Sequence, residues 1–359
     1  MFLQPYYLNL ANIFFLGLIV LLITLTFFSM YLRAKREDKL EKWKLISDLL
    51  IRKAIFFDEE DENKSLVSIP ITPRTTKLLK NPHFRKVMAQ ELLNAKKNLS
   101  GSSAGYIKRL YLQLNLDIYA LNRLKSDKWY IKAQAIQELS IMDLKENLTK
   151  IYRLINNMND LVRMEAQVAV VRLYGFEALR FLDLVSYPLS EWQQIKLLQE
   201  LSQVSSENFS GIEKWLKSEN KTVVIFALKL VRIYFRFELH DHIAQCLTNT
   251  DAQIRLQAIL TLGEIYNDQT AGILIGKYLK EELTNQMAMV QVLGNIATEE
   301  DSPFLLDQLN TDHPELKAAV ARSLAKQGPS GIKSLEQHVH AKSYPLTEII
   351  GQLKTELIL

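Results

Sequence analysis

The sequence has one cysteine, Cys246, so no disulfide can close within the chain. Disulfide-framework folds and paired-cysteine metal sites are therefore excluded. A lone cysteine of this kind is expected to be a small buried apolar side chain in a helix. Glycine (12) and proline (9) are scarce, each at about half the usual share, which excludes collagen-like and low-complexity chains. Charge is absent from one stretch: Met1 to Leu32 carries no Asp, Glu, Lys or Arg. Also absent are a P-loop, a G-x-G-x-x-G run and an H-E-x-x-H helix. The chain is accordingly expected not to be an enzyme, and no cofactor is expected.

Leucine is abundant, at 60 of 359 residues. Leucine-rich sequence with few chain breakers predicts an all-α protein. At this length two domains or an elongated array are expected rather than one compact core.

The charge-free stretch contains IFFLGLIVLLITLTFFSMYL, opening with Ile13, Phe14, Phe15 and Leu16 and closing at Leu32. As a helix rising about 1.5 Å per residue it spans roughly 30 Å, the hydrocarbon thickness of a bilayer. Thr24, Thr26 and Ser29 can bond back to helix carbonyls. Tyr6, Tyr7 and Tyr31 are placed as interfacial aromatics. A cleaved signal peptide would need a basic start, a shorter apolar run and small residues at a cleavage site. None is present, so residues 1–32 are expected to form an uncleaved single-pass anchor. No Lys or Arg precedes the span, while Arg33, Lys35, Arg36, Lys39, Lys42 and Lys44 follow it. The positive-inside bias places the N-terminus outside and the rest in the cytoplasm, at a bacterial inner membrane. On that topology the five Asn-x-Ser/Thr matches are coincidental.

Residues 33–57 carry eight positive and four negative side chains, which is the whole net charge of +4. The surface elsewhere is charge-balanced, and no nucleic-acid partner is expected. Leu40, Trp43, Ile46, Leu50, Ala54 and Phe57 fall at helical spacing. This helix either continues the span, lies along the anionic leaflet with Trp43 inserted, or packs as a stalk on the following domain. Asp58–Glu62 is a solvated acidic run, and an irregular linker is expected up to about Thr76. Residues 33–76 thus form a basic juxtamembrane helix and an acidic linker, and 77–126 a helical cap. Asn81-Pro82 opens that cap's first long helix and Gly101 ends it.

From residue 127 a repeat dominates. An apolar residue, a basic one, two further residues and an Ala recur as Ile131-Lys132…Ala135, Val162-Arg163…Ala166 and Ile254-Arg255…Ala258. Looser copies start at Val223, Asn285 and Leu316, and a degenerate one lies near Gln193. The step is 31 residues, which predicts about seven helical hairpins over 127–345, with a capping helix over 346–359. Asp127, Asn159, Ser190, Asp251 and Asp312 are the expected helix caps.

These residues resemble the short HEAT-like repeats of phycobilin lyases. Ser103–Met142 also looks like a group of membrane-anchored HEAT-repeat proteins of the Bacteroidota. The resemblance implies an α-solenoid that binds protein partners, and loosely a membrane glycosyltransferase of polysaccharide synthesis. The alternative it carries is a HEAT-like enzyme or chromophore-handling protein of the lyase type. HEAT-like di-iron hydroxylases carry His-Glu dipeptides, and this sequence has none.

The remaining candidates are weak. His240-Asp241-His242 and His338-Val339-His340 have the wrong helical spacing for a shared metal and read as partly exposed polar residues, so no metal is expected. Lys132, Arg163, Arg255 and Lys317 form either a ligand-facing ladder or a structural register between repeats. Trp129 and Tyr130, with the basic stripe Lys229, Arg232 and Arg236, are the candidate partner-binding residues, although most such aromatics should be core. The oligomeric state is open.

Overall fold

The computed structural model describes residues 5–56, 69–204, 210–338 and 348–352, and among these there is no strand. By internal packing the chain divides into two compact units, Met1–Ile151 and Tyr152–Leu359.

The first unit begins with one unbroken helix, α1 (Pro5–Ile55). Its apolar part stands clear of the protein: none of the most apolar stretch is buried, and Ile13, Phe14, Phe15 and Leu16 are all largely exposed. Thr24, Thr26 and Ser29 donate to the carbonyls of Val20, Leu22 and Thr26 at 2.6–2.8 Å, so their hydroxyls are satisfied within the helix. The lower part behaves differently. Trp43, Ser47, Leu50, Ile51 and Ala54 form a buried stripe at three- and four-residue steps. That stripe packs on α3 (Pro82–Asn98) and α4 (Gly101–Gln113). The Trp43 ring stands edge-on to Phe84, 5.7 Å between centroids. Of the three arrangements open for this segment, the structure combines two: the helix continues the apolar run and packs on the domain. Trp43 is core, not membrane-inserted.

Between them lies α2 (Pro73–Leu79), where an irregular linker was expected. Pro73 occupies the first helical turn, where it costs no hydrogen bond, and Thr72 caps it by accepting from Thr75 N. Asn81 caps α3 by accepting from His83 N at 2.9 Å. Gly101 lies between α3 and α4 at φ +63°, starting the second helix rather than ending the first. α5 (Leu116–Leu124) and α6 (Trp129–Ile141) complete the packing, and α7 (Leu148–Tyr152) follows. The acidic run 58–62 and Phe57 lie outside the described residues.

In the second unit the longer helices recur in step: α8 (Asp160–Tyr174), α9 (Glu191–Leu201), α11 (Lys221–Ile233), α13 (Ala252–Leu262), α15 (Leu283–Ile296) and α17 (Pro314–Ala325). Between them lie α10 (Ile212–Trp215), α12 (His240–Cys246), α14 (Thr270–Lys277) and α16 (Ser302–Asp307), with α18 (Pro329–His338) last. Several of these second elements open or close with a 3-10 turn, and residues 175–183 are 3-10 throughout. The expected capping helix over 346–359 falls mostly outside the described residues; 348–352 are helical.

Three features set the register. Ala166, Ala227 and Ala258 are buried at mid-helix, and Met289 and Val320 take that place in later copies. Polar side chains bond one helix to the previous one: Thr261 to Leu228 O (3.2 Å), Asn285 to Ala252 O (3.2 Å) and Ser323 to Val290 O (2.7 Å), each reaching back 33 residues. Glycine allows the close approach. A Cβ on Gly263 would stand 2.8 Å from Val292, and one on Gly294 would stand 2.8 Å from the Ser323 backbone. Asn159, Ser190 and Asp251 cap their helices as expected. Asp127 and Asp312 do not: the chain enters those helices one residue later, through Lys128 and His313. For the latter, Pro314 fixes the first helical residue.

Candidate interaction surfaces

In the first unit a groove of about 580 Å³ lies between α3, α5 and α6. Its floor is a buried polar network. Glu138, 4% exposed, forms an ion pair with Arg123 and accepts from the Tyr111 hydroxyl at 2.7 Å. Burial, reinforced by the neighbouring carboxylate, pushes the Tyr111 phenol far above its ordinary pKa, so it stays a donor at any working pH. The wall toward α3 carries Arg85, whose guanidinium sits 3.7 Å over the Tyr119 ring and donates to Leu79 O at 3.0 Å. Tyr130 forms the rim toward α6.

Trp129 and Tyr130 are each nearly half exposed and pack edge-to-face at 5.7 Å, so this pair is a surface feature rather than core. Trp192 is also exposed, with the Lys196 ammonium 5.8 Å from its ring. Trp215 is buried and donates from Nε1 to Asp183 at 2.9 Å. The expected basic stripe is broken: Lys229 and Arg232 lie in α11, but that helix ends at Ile233, Phe235 takes φ +49°, and Arg236 falls outside it. Lys229 donates to Gln194 at 2.9 Å, Arg236 pairs with Glu238 at 2.5 Å, and Arg232 is half-buried. Lys229 and Arg232 belong to the second unit, Trp129 and Tyr130 to the first.

The ladder of basic residues serves register at two of its positions. Arg163 donates to Asn157 O at 2.7 Å and lies 4.1 Å over Tyr187. Arg255 donates to Asn249 O and Thr250 O and pairs with the buried Glu281 at 2.8 Å. Arg85 makes the same contact with the preceding turn, bonding Leu79 O and Lys80 O. Its surroundings, Phe84-Arg85…Met88…Leu92, fit the repeat motif. That match is the sequence signal that could have singled out Arg85.

On α1, Lys42 pairs with Asp38 at 2.8 Å and Lys39 lies 4.8 Å from the Trp43 ring. Arg33, Lys35, Arg36 and Lys44 are exposed.

The run Gly101-Ser102-Ser103-Ala104-Gly105 has G-x-S-x-G spacing, but it opens a helix that follows another helix, without the preceding strand that a nucleophile elbow requires. His240 is buried, not partly exposed as the spacing suggested. Its Nε2 meets Thr270 Oγ1 at 2.8 Å and its Nδ1 meets Asn267 at 3.2 Å, tying α12 to α14. His242 is half-buried on the same helix. The His338 side chain and His340 lie outside the described residues. Among the described residues no three His, Cys, Asp or Glu converge on a metal position. Cys246 is buried, and burial pushes its thiol up to about 11.

A family model for HEAT repeats matches residues 240–325, spanning α12 to α17. No curated protein matches the sequence. Among solved structures, an engineered protein is 15% identical with a TM-score of 0.39, covering 79% of this chain and 88% of its own. A chain of the Kap95p–RanGDP complex is 12% identical with a TM-score of 0.38, covering 89% and 47%. A chain of phycocyanin lyase from Nostoc is 10% identical with a TM-score of 0.26, covering 82% and 98%.

Proposed function

We propose that this protein is a single-pass, membrane-anchored scaffold that holds protein partners on cytoplasmic helical repeats and works without catalysis. The observation that carries the reading is α1. Its upper part exposes about twenty consecutive apolar or hydroxyl side chains, each large one worth roughly 1.5–3 kcal/mol to remove from water. Its lower part is built into the first unit's core. An exposed apolar stretch of this length, continuous with a helix packed in a folded domain, supports a bilayer span. The six basic residues after Leu32 orient it with the N-terminus outside. The HEAT-repeat match over 240–325 supports partner binding, since stacked helical hairpins present extended surfaces. Anchoring adds effective concentration toward other membrane proteins. The resemblance noted above makes a membrane glycosyltransferase of polysaccharide synthesis one such partner.

The test is protease protection. Residues after Leu32 should be shielded in intact spheroplasts and cut after lysis, and deletion of residues 1–32 should move the protein to the soluble fraction. Cleavage in intact spheroplasts, or a membrane-bound deletion variant, would overturn the reading.

A further inference from the structure

We infer that the groove between α3, α5 and α6 takes an acidic segment of a protein partner, one that also carries aromatic or leucine side chains. The inference rests on the anchored-scaffold reading and names what that scaffold holds at this site.

Charge points to the occupant. Arg85, Lys86 and Arg123 line the groove, and the carboxylate among the lining residues is Glu138, already held by Arg123 and Tyr111. Among the described residues, Arg85 and Lys86 are left without a carboxylate. Arg85 is set in place before any ligand arrives: stacking on Tyr119 and bonds to two turn carbonyls fix the plane of its guanidinium. Of its five donors, the turn carbonyls engage one nitrogen, so the rest of the fork can meet a carboxylate. Tyr119 and Tyr130, 38% and 45% exposed, supply apolar faces beside those charges. A segment of alternating acidic and apolar character meets both.

Depth argues for a peptide over a lipid headgroup. Trp43 lies eleven residues beyond Leu32 on one continuous helix, about 16 Å at 1.5 Å per residue. The headgroup layer on each side of a bilayer is only about 5–8 Å thick. Phe84, next to Arg85 in the chain, packs on Trp43, so this wall of the groove lies below the lipid phosphates.

The full chain in phosphatidylcholine nanodiscs should be panned against a random library of 12-residue peptides. The expected result is at least a twofold enrichment of Asp and Glu over the input pool, lost in Lys86→Glu. Lys86 is exposed, so that variant should keep the wild-type melting temperature. Tyr130→Ala should reduce the aromatic and leucine content of the selected peptides while sparing the acidic bias. A charge-neutral pool, or the same pool from Lys86→Glu, overturns the inference. So does loss of the acidic bias when phosphatidylserine replaces part of the lipid, because the groove would then belong to the headgroups. A neutral pool from a protein that still passes the topology test sinks the groove inference and leaves the anchored scaffold standing.

Discussion

Glu138 is the residue whose environment is most demanding. A carboxylate removed from water needs its counter-charge, and Arg123 supplies it while Tyr111 fills a second acceptor site. Arg123→Ala leaves that carboxylate unpaired and is expected to cost about 3 kcal/mol, the low end for a buried pair because the guanidinium keeps a third of its surface in water. Urea unfolding of the variant should show the loss; a change under 1 kcal/mol would mean that water reaches Glu138. Asp251 presents a pH-dependent case. The Lys221 ammonium, 2.7 Å away, together with the backbone N–H groups of Ile254 and Gln253, holds its carboxyl below the usual value. Its contribution is therefore present at neutral pH and is lost as pH falls through the carboxylate range toward the lower folded value. Asp251→Asn keeps a capping oxygen but not the charge. The stability gap between variant and parent should be open at pH 7 and narrow steadily as pH falls below about 4. A gap independent of pH would show that the ion pair contributes nothing.

At the scale of elements, two kinds of glycine can be told apart. Gly294 lets the Ser323 backbone approach, whereas Gly276 in α14 has open space where a Cβ would go. Gly294→Ala is expected to destabilise by about 1–3 kcal/mol through overpacking. Gly276→Ala should be neutral or stabilise by up to about 1 kcal/mol through helix propensity. The melting temperature should fall for Gly294→Ala and hold or rise for Gly276→Ala; equal shifts would remove the close-packing account. The 31-residue step was legible in the sequence because neighbouring helices meet through equivalent residues, so Ala166, Ala227 and Ala258 had to recur. The second elements were less legible, since their 3-10 turns erase the 3.6-residue rhythm. α2 was hidden because Pro73 reads as a breaker until its place in the first turn is known. Arg85, Tyr119 and Tyr130 come from three helices separated in sequence. Only folding brings them to one groove, and no local pattern announces it.

For the whole molecule, the decisive feature is that α1 has no break between Leu32 and Trp43. On the anchored reading proposed above, a flexible tether would let the first unit tumble beneath the bilayer. A continuous helix instead fixes the unit's azimuth to that of the apolar part of α1. Each residue inserted into the exposed stretch, for example between Lys35 and Arg36, turns the first unit by about 100° and lowers it by about 1.5 Å. Partner retention should therefore depend on helical phase. Two inserted alanines, about 200°, should abolish co-purification of a membrane partner. Seven, which return within about 20° of the starting direction, should restore it despite the greater depth. A steady decline with insert length would mean that only distance matters. In mechanical terms the junction, on the anchored reading proposed above, is a drive shaft: rotation of the apolar part of α1 is carried along one continuous helix to the face that the first unit presents.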